Sequence, residues 1–205
     1  MKIPKLYFKY AYPLDQERRQ LFADKKLTKY PSIKEVKNKI KNWEKLWNKN
    51  NKNNKIFKLV IKNTGINIPR DLEACVFGGG LNAMSYPLII STTKKNGKKL
   101  SDDEFIEIII HEIIHRFVAD KENNKNIEKY WKTIRKEYKE ESRLTQNHII
   151  VYALLKVILP EILSKEKSKS LLNPKHPDYQ KALKIVNKKG EDIIIKQFKS
   201  IIQEK

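Results

Sequence analysis

The sequence predicts an α+β fold, mainly helical, with a small β-sheet packed on one buried helix. Three observations lead there. Apolar residues recur at helical spacing along most of the chain, whereas only the segment from Leu72 to Thr92 reads as strand. The third is the run Phe105 to Ala119, FIEIIIHEIIHRFVA. It is apolar almost all the way round, which requires burial on every side.

Taken in order, residues 1 to 13 are aromatic and Pro-containing and read as an extended lead-in, followed by a short helix from Asp15 to Asp24. Ser32 is placed to cap an amphipathic helix whose stripe is Ile33, Val36, Ile40, Trp43 and Trp47. At that spacing the two Trp belong to a core. Residues 48 to 55, NKNNKNNK, hold no apolar side chain and form a loop or helix end. Ile56 to Ile61 is a second helix, stopped at Gly65.

Leu72 to Phe77 and Tyr86 to Thr92 are the strands, with Gly78 to Gly80 a flexible turn between them. Pro87 cannot donate to a ladder, so the second strand lies at an edge or begins just after the proline. The glycines are not a phosphate loop, because no Lys-Ser/Thr pair and no helix follows them. Lys94 to Lys99, KKNGKK, is an exposed turn. Ser101 and Glu104 then form a capping box, with Asp102 and Asp103 at the positive end of the helix dipole.

After a polar break at 120 to 126, a helix from Ile127 to about Glu140 buries Tyr130, Trp131, Ile134 and Tyr138. A strongly apolar helix, Thr145 to Leu159, ends near Pro160. Two more helices, Asp178 to Asn187 and Glu191 to Ile202, flank Gly190, and the face of Tyr179, Ala182, Leu183 and Val186 reads as packing. The expected division is an N-terminal helical segment, residues 1–65, packed on a main domain of residues 66–205.

Formal net charge is +20, which draws attention to polyanions. Yet only six of the 44 basic residues are Arg, the residue suited to bidentate phosphate contacts. Mixed with abundant Asn and Ile, the lysines read as a compositional bias that gives non-specific polyanion affinity. Cys75 is the single cysteine, so no intrachain disulfide forms and a reducing compartment is natural. The first residues lack the apolar core of a signal peptide, and no apolar run approaches the roughly 20 residues of a membrane span. A cytoplasmic chain with no membrane role is expected.

The chemistry is concentrated in His111, Glu112 and His115, the pattern His-Glu-x-x-His. Residues four apart on a helix lie one above the other, so both imidazoles face one side and can hold one zinc ion. Glu112 lies about 100° round the helix from His111, within reach of a water at that ion and placed as a general base. Here the chain resembles the zincin metallopeptidases, most specifically over residues 101 to 119 and more loosely over 72 to 152. That resemblance implies a zincin-like domain, bound Zn2+ and hydrolysis of peptide bonds. It also implies a peptide or protein substrate added along the edge strand at Tyr86–Thr92.

Catalytic zinc needs a third protein ligand. The metzincin pattern fails, since Lys121 stands where its third His would be and Val118 where its Gly would be. A gluzincin-like ligand would be Glu141, in KEYKEESR; the rival is His148, in QNHIIVYALL. An imidazole otherwise buried among apolar residues gains most from a metal, which favours His148 and leaves Glu141 to orient a ligand. Tyr152, one turn beyond His148, is placed either to donate to an oxyanion or simply to be buried. The reading is therefore a zinc metallopeptidase with Glu112 as base. Its alternatives are a zincin-fold regulatory or binding module without catalysis, and a basic nucleic-acid-binding protein.

Overall fold

A computed structural model describes residues 2–25, 30–94, 96–122 and 124–204. Met1, residues 26–29, Lys95, Asn123 and Lys205, which the expected lead-in, N-terminal segment, turn, polar break and main domain include, lie outside the described residues. The elements run β1 (Leu6–Tyr10), α1 (Tyr12–Asp24), α2 (Ile33–Asn50), a 3-10 turn (Lys52–Asn54), α3 (Lys55–Thr64), β2 (Leu72–Phe77), β3 (Met84–Ser85) and β4 (Leu88–Ser91). Then come α4 (Asp102–Val118), α5 (Asn126–Glu137), α6 (Arg143–Ile162), α7 (Lys165–Leu171), α8 (Pro177–Lys189) and α9 (Glu191–Ile202). The protein is thus α+β, mostly helical with one small four-stranded sheet.

The chain forms two compact units, each discontinuous in sequence and each drawing on both sides of residue 65. Lys2–Asn53 with Pro69–Glu112 make one; Asn54–Ile68 with the residues from Ile113 onwards make the other.

The first unit holds the sheet, in the order β1-β2-β4-β3. β1, β2 and β4 run parallel, and β3 pairs antiparallel with the start of β4. The extended lead-in and a strand start just after Pro87 agree with expectation, and the edge placement is corrected here. The lead-in is a strand, with Leu6 in register with Leu72 and Tyr10 with Val76. The strand expected at Tyr86–Thr92 begins at Leu88, just after the proline, and is not an edge: it lies between β2 and β3, and the outer strands are β1 and β3.

Alternation explains β1, since Leu6 and Phe8 are buried while Tyr7 and Lys9 face out. Ser32 and Glu35 form the full capping box that starts α2, whose Val36, Ile40, Trp43 and Trp47 are buried. The first turn of α4 anchors to this core through Phe105, whose ring stacks on Trp43 at 4.2 Å and meets Phe8 at 5.7 Å. Lys94 pairs with Glu104, whose backbone and side chain also bond Ser101 in the second capping box.

The Gly78–Gly80 turn is built tightly and is not a flexible link. A Cβ on Gly78 would lie 2.3 Å from the Tyr30 ring, and one on Gly79 would lie 2.0 Å from Thr93 Oγ1. Asp15, fully buried, organises the surroundings. Its carboxylate accepts from Tyr10 Oη (2.6 Å), Tyr30 Oη (2.8 Å), Arg19 Nη2 (2.8 Å) and the Gly78 amide (2.6 Å). Burial would raise its pKa, but hydrogen bonds from Tyr10, Gly78, Tyr30 and Arg19 outweigh that and hold it below the ordinary carboxylate value.

The second unit is helical. Gly65, at φ 74°, ends α3 with its amide bonded to Ile61 O. α6 is its most buried helix, packed by α3, α8 and α9. It begins at Arg143, because Ser142 is its N-cap and accepts from the Thr145 amide. Asp178 at the start of α8 accepts from Ser142 Oγ and Thr145 Oγ1, which ties α8 to that cap. Pro160 does not end α6; the helix continues through it to Ile162. Tyr130 of α5 meets Phe198 of α9 edge-on at 4.6 Å, and Trp131 donates to Val118 O at 3.1 Å. Among the described residues, no helix is long and apolar enough to cross a membrane.

Candidate metal centre

α4 forms because its Ser101 cap and three acidic first-turn residues meet the helix N-terminus and its apolar side chains are buried. One turn separates His111 from His115 on this helix, so their imidazoles project from the same side. α6 supplies His148 from its second turn. One ligand atom from each of His111, His115 and His148 lies within 4.8 Å of the others, the grouping of this kind found among the described residues.

The closest pair carries the most information. His115 Nε2 and His148 Nε2 are 3.3 Å apart. His148 Nδ1 lies 2.8 Å from Leu144 O, a carbonyl that only accepts, so this ring nitrogen holds the proton. In the neutral tautomer the Nε2 lone pair of His148 then points at His115. Two nitrogens bound at about 2.0–2.1 Å to one tetrahedral zinc stand roughly 3.3–3.4 Å apart, so the observed separation fits such an ion. His111 Nδ1 faces Glu107 Oε1 at 3.7 Å, one turn earlier on α4. Burial lowers the His111 pKa, but Glu107 and then Glu112 reverse this, and the net direction is upward.

Glu112 is 9% exposed. Burial raises its pKa, the His111 charge opposes this and Glu107 adds to it, so the carboxyl stands above its ordinary value. That direction suits a base that must hold a proton briefly.

His148 is walled by aromatic rings. Tyr179 of α8 lies against it at 4.2 Å between centroids and 31° between planes. Tyr152, buried on α6, is 6.1 Å from it, and His176, the N-cap of α8, is 5.0 Å from Tyr179 on the outer side. Glu141 is not in the group of three. It precedes the Ser142 cap and its Oε2 pairs with Lys181 Nζ at 3.2 Å. Of the residues read from sequence, the structure brings together His111, His115 and His148 with Glu112 on the same helix, and it gives Glu141 a different partner.

Two participants were missed. Glu107 was legible, being four residues before His111 on a helix. Tyr179 was not, since its packing on His148 joins helices that sequence spacing does not relate. Compared with protein families, curated proteins and solved structures, the chain gives no match.

Proposed function

We propose that the protein is a zinc-dependent metallopeptidase. The observation that carries this reading is the 3.3 Å approach of the Nε2 atoms of His115 on α4 and His148 on α6, within a group of three histidines whose α4 pair has the buried Glu112 between its members. The sequence resemblance of His111, Glu112 and His115 to zincins supports it. His111, His115 and His148 would hold the ion, leaving a fourth position open, as a catalytic site requires. Bound there, zinc supplies Lewis acidity that polarises a peptide carbonyl and acidifies water.

The chain's own groups do the rest. Glu112 takes a proton from the attacking water as the C–O bond forms, and then gives it to the amine nitrogen as the peptide C–N bond breaks. Leu144 O fixes the tautomer of His148, and Glu107 orients His111. Tyr152, whose ring lies 6.1 Å from that of His148, would donate to the developing oxyanion.

The test is Glu112→Gln on metal-loaded protein. Metal content should match wild type while cleavage of a mixed peptide library falls by about 10²- to 10⁴-fold. Cleavage at the wild-type rate would overturn the proposal, as would a zinc-loaded wild type that cleaves no peptide.

A further inference from the structure

On α2 the net positive charge is arranged rather than scattered. The buried stripe is Val36, Ile40, Trp43 and Trp47. At about 100° per residue, Lys34, Lys37, Lys41, Lys45 and Lys49 fall within roughly 60° of one line on the opposite side. All five are exposed, as are Asn38, Asn42 and Asn48 beside them. The row from Lys34 to Lys49 is about 22 Å long at a rise of about 1.5 Å per residue.

Of the two carboxylates on α2, Glu44 lies at the margin of this face, about 20° from Lys37 by the same count, and Glu35 is engaged elsewhere. Lys39, off the line, pairs with Asp102, and Glu35 serves the Ser32 cap and Lys99. Lys37 rests over the Tyr10 ring at 5.5 Å. Among the described residues, no carboxylate lies within ion-pair distance of Lys34, Lys41, Lys45 or Lys49.

We propose that this face of α2 binds the backbone of duplex DNA without reading its sequence. A straight row of ammonium groups, flanked by amides that donate to phosphate oxygens, matches a surface with one negative charge per about 1.7 Å of axis. The chemistry of the face selects this occupant. α2 itself exposes no aromatic side chain on this side, and the Tyr10 ring that meets it is covered by Lys37, so single-stranded bases find no row of rings on which to stack. The face has no Leu, Phe or Trp to enter a lipid interface, with only Ile33 at its margin. It has no Arg for base edges, so contacts stay on the backbone. The inference is independent of the metal centre.

The experiment is fluorescence anisotropy with a mixed-sequence duplex of about 20 base pairs at several salt concentrations. The full chain is compared with K34Q/K41Q/K45Q/K49Q and with a control of equal charge loss, K58Q/K62Q/K184Q/K188Q, each confirmed folded by circular dichroism. Each phosphate contact contributes about −0.9 to the slope of log affinity against log salt, so the α2 variant should be shallower by about 3.6 and bind at least about 100-fold more weakly. The control should keep the wild-type slope. Equal losses in the two variants, or no binding by wild type, would overturn the proposal. Tighter binding to the single strand or to phosphatidylserine vesicles than to the duplex would overturn the choice of occupant.

Discussion

At the scale of single residues, the centre depends on side chains that hold ligands as much as on the ligands. His148 is fixed at one nitrogen by Leu144 O and on its face by Tyr179 at 4.2 Å. A ring packed on an imidazole limits its rotation, and partners of this kind change metal affinity by about 10- to 100-fold. Tyr179→Ala should therefore weaken zinc binding about 10-fold in a chelator competition, and Tyr179→Phe, which keeps the ring, should restore it. Equal weakening by Phe would move the effect from the ring to the hydroxyl. Sequence spacing located His111, Glu112 and His115 because one helical turn relates the two histidines. The sequence favoured His148 through its apolar neighbours, but it could not see Tyr179, whose spacing from His148 follows no helical period.

At the scale of elements, Asp15 joins α1 to the end of β1, the start of the glycine turn and Tyr30. Its folded pKa is depressed, so its ionised form contributes stability above the unfolded value of about 3.9, and that contribution is lost as pH falls through the folded value. Asp15→Asn keeps the shape but leaves Arg19 and two hydroxyls without the charge they bond. It should cost about 2–4 kcal/mol in urea unfolding at pH 7, and progressively less as pH falls below the unfolded value towards and past the folded one, where the wild-type carboxyl is itself protonated. An equal cost throughout that range would show that geometry, not charge, is what Asp15 supplies. The elements legible in sequence were those with local signals: two capping boxes at Ser32 and Ser101, the stripe of α2, and Gly65 at the end of α3. β1 was not legible, because Leu6 pairs with Leu72 across a long stretch of helices. The closeness of the glycine turn was hidden for the same reason, since Tyr30 and Thr93 are what fill the space beside it.

At the scale of the molecule, both compact units are assembled from separated segments, which no composition shift along the chain marks. An ion held by His111 and His115 of α4 and His148 of α6 would bind the native chain and not the unfolded one, so binding and stability are linked. At about 100 times its dissociation constant, zinc adds about 2.7 kcal/mol, which for a chain of this size raises Tm by about 5–10 °C. A chelator should reverse the shift. In His148→Ala the shift should vanish, whereas in Glu141→Ala, whose carboxylate is engaged by Lys181, it should persist. The opposite pattern would make Glu141 the third ligand, and a wild type whose Tm ignores zinc would leave the three histidines as a hydrogen-bonded core group. Because the readout is stability, it separates metal binding from catalysis and decides the first without assuming the second.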